Sequence, residues 1–130
     1  MATVRFPERL ARLNRVFTNR LMAPVAQHAP WLGLLHHRGR RTGTAYTAPV
    51  LAGVSHDAIV VPLMYGVHRD WVRNVEAAGS FTLEFRGRTL PCAAPRIVTD
   101  IADLPDVGAF WRTFQQRVPI EGYLVADRVR

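Results

Sequence analysis

The run from Ser80 to Arg86 alternates without a break, with Phe81, Leu83 and Phe85 set against Ser80, Thr82, Glu84 and Arg86. A period of two suits a strand buried on one face; on a helix the same residues would scatter around the whole circumference. Gly87 follows as a turn, and Thr89 to Val98 reads as the returning strand, with Pro91 and Pro95 marking it as an edge or bulged strand. Strands joined this closely pair antiparallel, because a parallel pair needs a long crossover. Further strand candidates are Trp31–His37, Thr44–Ala52, Ala58–Leu63 and, last, Tyr123–Ala126.

Helices interrupt the strands at two places. Asp70 is placed to cap a helix from Trp71 to Ala78 that Gly79 ends, with Trp71, Val75 and Ala78 on one face. Between Asp106 and Gln116, the stripe of Phe110, Trp111 and Phe114 reads as a core-facing helix. Near the N-terminus, Phe6, Leu10, Leu13, Phe17 and Leu21 recur at helical spacing among arginines, which makes residues 1–22 an amphipathic basic helix. Its apolar stripe suits packing on the domain or contact with a membrane surface or a partner. No regular βαβ alternation is present. The pattern predicts a mainly β (α+β) fold, an antiparallel sheet closing into a small barrel with helices packed outside. The 130 residues show no repeat, low-complexity tract or linker, so residues 1–130 are read as a single domain.

Composition removes several chemistries. All 17 basic residues are arginine, so there is no lysine for Schiff-base or Walker-type phosphate chemistry. The net charge of +7 instead offers permanent, planar, bidentate donors to anionic partners. The single cysteine, Cys92, excludes an internal disulfide framework and a multi-cysteine zinc site, and it reads as a small buried hydrophobe. His36 and His37 are adjacent and point to opposite faces of a strand, and no acidic cluster stands elsewhere, so no metal site is expected. Ser55 and Ser80 lie in no nucleophile pattern. The arginines are dispersed and carry no recognised nucleic-acid motif. No apolar run approaches the roughly 18 residues of a membrane span, and charges break up the stretch from Met1 to Arg20, so a cytoplasmic protein is expected.

Two stretches carry chemistry. In His37-Arg-Gly-Arg-Arg-Thr-Gly43, two glycines bracket Arg40, Arg41 and Thr42 between strand candidates. The glycines permit positive φ and leave backbone N–H groups uncovered; with two guanidinium groups and a hydroxyl they suggest an anion cradle, set against the plain alternative of a solvated turn. In the second stretch, Pro62 to Asn74, a strand ends, a glycine loop follows, and a helix opens with Trp71 and Asn74 on one face. A tryptophan beside an amide can flank a flat heterocycle and bind its edge; equally, Trp71 can fill core and Asn74 can tie down a loop.

Taken together, Gly39-Arg-Arg-Thr-Gly43, Pro49, Tyr65-Gly66 and Trp71-Val-Arg-Asn-Val-Glu-Ala-Ala-Gly79 resemble the deazaflavin (coenzyme F420)-dependent nitroreductase or quinone reductase family. The resemblance covers roughly Leu34 to Val98 and implies a split β-barrel of the flavin-binding superfamily. It implies that Arg40, Arg41, Thr42 and Gly43 hold the phosphate and acidic tail of the coenzyme. Leu63, Met64 and Tyr65 would lie along the ring, with Trp71 and Asn74 lining the same pocket and Pro49 among the cofactor-binding residues. The implied activity is hydride transfer from reduced F420 to a small-molecule acceptor: a quinone, an enone or a nitro compound. Flavin mononucleotide (FMN) is the less favoured cofactor. Some members carry arginine where Tyr46 stands, and Ser or Lys where Met64, Tyr65 and Gly66 stand. Those departures keep open a non-catalytic protein on the same fold, holding a lipid, a haem-related ligand or another flavin. Reduction also needs a proton donor or oxyanion stabiliser. Tyr65, His68 and Tyr46 are the candidates, with Tyr65 preferred as the catalytic residue because it ends the strand beside the expected ring. A homodimer, and contact of residues 1–22 with the inner membrane face, complete the expectations.

Overall fold

β1 (Leu32–Arg38) runs along β2 (Ala45–Leu51) in register from Leu32↔Leu51 to Arg38↔Ala45, joined by the arginine turn. A single residue, Ala52, then separates β2 from β3 (Gly53–Val54), which pairs with β4 (Ala58–Pro62). After β4 come α1 (Asp70–Ala78), the hairpin of β5 (Ser80–Phe85) and β6 (Arg88–Val98), a 3-10 turn (Ile101–Asp103), α2 (Ala109–Arg117) and β7 (Tyr123–Arg128). This computed structural model describes residues 31–129; the helix expected over residues 1–22 and its membrane contact lie outside the described residues. Among the described residues, no helix is long and apolar enough to cross a membrane.

Among the described residues all pairings are antiparallel, and the sheet order is β2-β1-β5-β6-β7-β4-β3. Its two edge strands, β2 and β3, are therefore neighbours in the chain. One residue reaches only about 3.5 Å, so the edges must meet and the sheet must curl onto itself. This is the half-barrel anticipated from the alternation. The interior of the curl holds Leu35, Val50, Ile59, Val61, Leu83, Leu90 and Leu124, with Val72 and Val75 of α1 packed among them. A second cluster of Val60, Tyr123 and Val125 lies on the other face of the sheet, against Val107, Phe114 and Ile120 of the α2 region. β4 is buried on both faces, which explains why Ala58–Pro62 is apolar throughout and does not alternate.

Several sequence expectations change in detail. Of the two readings of β6, the bulged strand holds and the edge strand does not, because β7 pairs along its far side. Its prolines are tolerated because Pro95 sits in the register shift between Ala93 and Arg96, and Pro91 lies beyond the last β7 pair, Cys92↔Arg128. Asp70 is not the cap of α1; that position is Arg69, without a side-chain cap bond, and Asp70 is the acid of the first turn. Gly79 does end α1, in the left-handed region at φ 73°. The face of α1 that is buried is Val72, Asn74 and Val75, whereas Ala78 is exposed. In α2, Trp111 is core but Phe110 is 62% exposed. Cys92 is buried, its thiol donating to the Leu90 carbonyl at 3.2 Å, and burial pushes its pKa up to about 12. That holds it as an unreactive thiol.

The closure point carries a steric test. A Cβ on Gly53 would stand 2.5 Å from Val107 Cγ2 and 2.8 Å from Trp111 Cδ1. Gly53→Ala is expected to destabilise the protein by about 1–3 kcal/mol through overpacking, read as a lower urea midpoint with an unchanged m-value.

Candidate functional site

The inner face of β1 and β2 opens into a cleft at the end nearest the arginine turn. Leu35↔Ala48 is the deeper pair and His37↔Tyr46 the outer one, the imidazole and phenol rings of the latter stacking at 5.6 Å and 25°. α1 forms the opposite wall. The cleft holds about 380 Å³ and is lined by the turn residues Arg40, Arg41 and Thr42, the β2 residues Tyr46 and Pro49, and Tyr65, Arg69, Asp70, Trp71 and Asn74. That volume is within the range of small-molecule sites. A second hollow of about 200 Å³ continues from it. The two share Pro49, Tyr65, Arg69 and Trp71, and the second is floored by Leu63 and Met64.

Asn74 assembles the polar wall. It is the polar residue buried among the described residues, at 5% exposure. Its Oδ1 accepts from the Arg40 backbone N–H at 3.1 Å and from Arg40 Nη1 at 2.8 Å. Its Nδ2 donates to His37 Nδ1 at 3.2 Å. A buried amide leaves no donor or acceptor unused without cost, and here both ends are engaged. Arg40 also lies 3.5 Å from Asp70, whose exposed carboxylate is screened by solvent and adds little. Burial, and then the neighbouring His36, hold the His37 pKa below its ordinary value, which favours the neutral ring that this bond requires.

The glycines of the turn do not expose a nest of N–H groups. Gly39 N–H donates to the Thr44 carbonyl and Gly43 N–H to the Gly39 carbonyl, while Arg40 N–H is taken by Asn74. Thr42 Oγ1 donates to Thr44 Oγ1 and accepts from the Thr44 N–H. Those three N–H groups are therefore already engaged, and the guanidinium groups of Arg40 and Arg41 remain as the charged donors an anion would meet. Gly43 adopts φ 73° and serves the turn geometry without lining the cleft.

Arg40, Arg41, Thr42, Pro49, Tyr65, Trp71 and Asn74 thus converge on one cleft, and Leu63 and Met64 on the adjoining hollow. Of the proton-donor candidates, Tyr65 and Tyr46 face the cleft, while His68 is not among its lining residues. Sequence reasoning missed His37, which it weighed only as a metal ligand. Its strand parity with Leu35, two residues earlier on the inward face, was the available signal. Arg69 and Asp70 also line the cleft without having been singled out for it. Among the described residues, no group of histidines, cysteines and carboxylates is placed to hold a metal.

A family model described as F420H(2)-dependent quinone reductase matches residues 10–123. No curated protein matches the chain. Among solved structures, an F420-H2 dependent reductase (FDR-A) is similar at 14% identity and a TM-score of 0.50, over 73% of this chain and 92% of that one. An F420 reductase is similar at 14% identity and 0.53, over 82% and 92%. A single-residue variant of HupZ from Group A Streptococcus is similar at 13% identity and 0.53, over 84% and 92%.

Removing the amide should loosen the wall. Asn74→Ala strips acceptor and donor from Arg40 and His37 and is expected to cost about 1–3 kcal/mol of stability in urea unfolding.

Proposed function

The chain belongs to the F420H(2)-dependent quinone reductase family, and on that premise we propose that its cleft binds reduced coenzyme F420 and delivers hydride to a quinone, an enone or a nitro compound. One observation carries the reading: a single cleft joins an arginine turn to a wall of Pro49, Tyr65 and Trp71. The donor set fits the coenzyme, whose tail is polyanionic and whose ring is flat. Arg40 and Arg41 would hold the tail through charge-assisted, bidentate bonds. Trp71 and Pro49 would flank the ring, with the Leu63 and Met64 hollow beside it for the acceptor. When bound, the reduced coenzyme supplies the hydride. The protein supplies position, an apolar surround and a proton. Tyr65 lines both hollows, and in this reading its hydroxyl would donate to the oxygen that gains negative charge on the acceptor.

The apolar floor at Leu63 and Met64 also supports a second reading, a binding protein that holds a lipid, a haem-related ligand or another flavin without turnover. Fluorescence titration separates the two. The protein is expected to bind F420 in preference to FMN, and the Arg40→Ala/Arg41→Ala double variant to lose about 10²-fold or more in affinity. Absence of binding to both cofactors, with acyl chains copurifying, would move the assignment to the second reading. In steady-state assays with a quinone, Tyr65→Phe is expected to lower kcat by about 10²-fold with little change in coenzyme affinity. An unchanged kcat would assign the proton to solvent.

A further inference from the structure

We infer that His37 is a positioning residue for the anion cradle: its neutral imidazole, protonated at Nε2, helps set the orientation of the Asn74 amide and through it the place of the Arg40 guanidinium, so that protonating His37 and assembling the cradle oppose one another. The inference rests on the proposed reading in which Arg40 meets an anionic ligand.

Donor chemistry fixes each step of the chain. Arg40 N–H and Arg40 Nη1 can only donate, and both reach the same side-chain atom of Asn74, at 3.1 and 2.8 Å. That atom is therefore the amide oxygen. The amide nitrogen must then face His37 Nδ1, 3.2 Å away. An NH₂ group can only donate, so Nδ1 accepts and the ring proton sits on Nε2. A doubly protonated imidazole would set a donor against a donor. Relief requires the amide to rotate, which turns its NH₂ toward Arg40, or the imidazole to withdraw from Asn74. The first directly displaces the guanidinium that lines the cleft, and the second removes one of the three bonds that fix the amide, leaving only its two contacts with Arg40.

The charged and titratable neighbours support this. From α1, His37 is faced by Asn74, and Asp70 reaches only as far as Arg40. From β2 it is faced by the Tyr46 ring. The carboxylate on β5, Glu84, pairs with His36 at 3.2 Å on the other face of β1. Among the described residues, no carboxylate pairs with His37 to favour its charged form. Burial and His36 both disfavour that form.

By reciprocity, a ligand held by Arg40 must make His37 harder to protonate. The test is an NMR titration of the intact protein, following the His37 ring nitrogens and the Arg40 amide from about pH 7.5 down to about pH 4.5. The expected result is an Nε2–H tautomer at neutral pH and an Arg40 amide signal that moves with the His37 titration, without any ligand present. Two variants sharpen it. His37→Asn keeps an oxygen acceptor near the Nδ1 position but cannot titrate, and its Arg40 signal should stay still. Asn74→Asp accepts from both neighbours, and His37 should then titrate above its ordinary value. With F420 as ligand, the ratio of wild-type to His37→Asn dissociation constants should rise about tenfold as the pH falls, the worth of a charge-assisted bond. Titration of the ligand itself cancels in that ratio. A proton on Nδ1 at neutral pH, or an Arg40 amide signal indifferent to His37, would overturn the inference. Failure of F420 to bind at any pH would overturn the proposed function while the tautomer and the Arg40 signal still decide the role of His37.

Discussion

Ala52 is the residue on which the architecture turns. It joins the strands at opposite edges of a seven-stranded sheet, and a one-residue link between edges leaves the sheet no flat alternative. The curl creates an interior for Leu35, Ile59, Leu83 and Leu124, and it brings the end of β4, with Leu63 to Tyr65, beside Pro49 of β2. The cleft is thus a by-product of closure, formed where the rolled sheet is left open and α1 covers it. Gly53 allows the link to pass under Trp111, where no larger residue fits without displacement.

Within that frame, the polar machinery depends on one amide. Asn74 is held on a helix whose other buried residues, Val72 and Val75, are locked in the core. It therefore presents a rigid reference point to a turn that is otherwise exposed. Gly39 and Gly43 bond within the turn, and Arg40 is pinned to the amide at two atoms. Preorganisation of this kind spares a ligand much of the cost of ordering a long side chain. The same amide that a sequence reader would assign either to a heterocycle or to a loop is engaged with the loop, and in doing so it shapes the wall where a ligand would lie.

Legibility followed the strength of the local signal. The β5–β6 hairpin was readable because Phe81, Leu83 and Phe85 alternate and Gly87 turns the chain, and the end of α1 was readable because Gly79 takes positive φ. β3 was not, since two residues carry no periodicity. The prolines of β6 left edge and bulge open because both impose the same local requirement, and only the distant β7 distinguishes them. Asp70 had the chemistry of a cap, but its carboxylate stands beside Arg40 and is not bonded to the helix N-terminus. The arginines and Trp71 were legible as chemistry. The closed hydrogen bonding of their turn was not, because it depends on a partner 34 residues away.

The place of β7 in the sheet has a consequence for how the chain comes together during synthesis. β7 follows all the other strands in sequence, yet it lies between β6 and β4. Until Tyr123–Arg128 is available, the strands form two separate ribbons, β2-β1-β5-β6 and β4-β3, each with an unpaired edge where β7 will lie. Without β7 no ladder joins the two ribbons, which then share the Ala52 link and the core side chains of their inner faces. Insertion of the final strand closes two edges in one event, so assembly is weighted toward late, long-range pairing, the regime in which folding is slow and exposed edges recruit other chains.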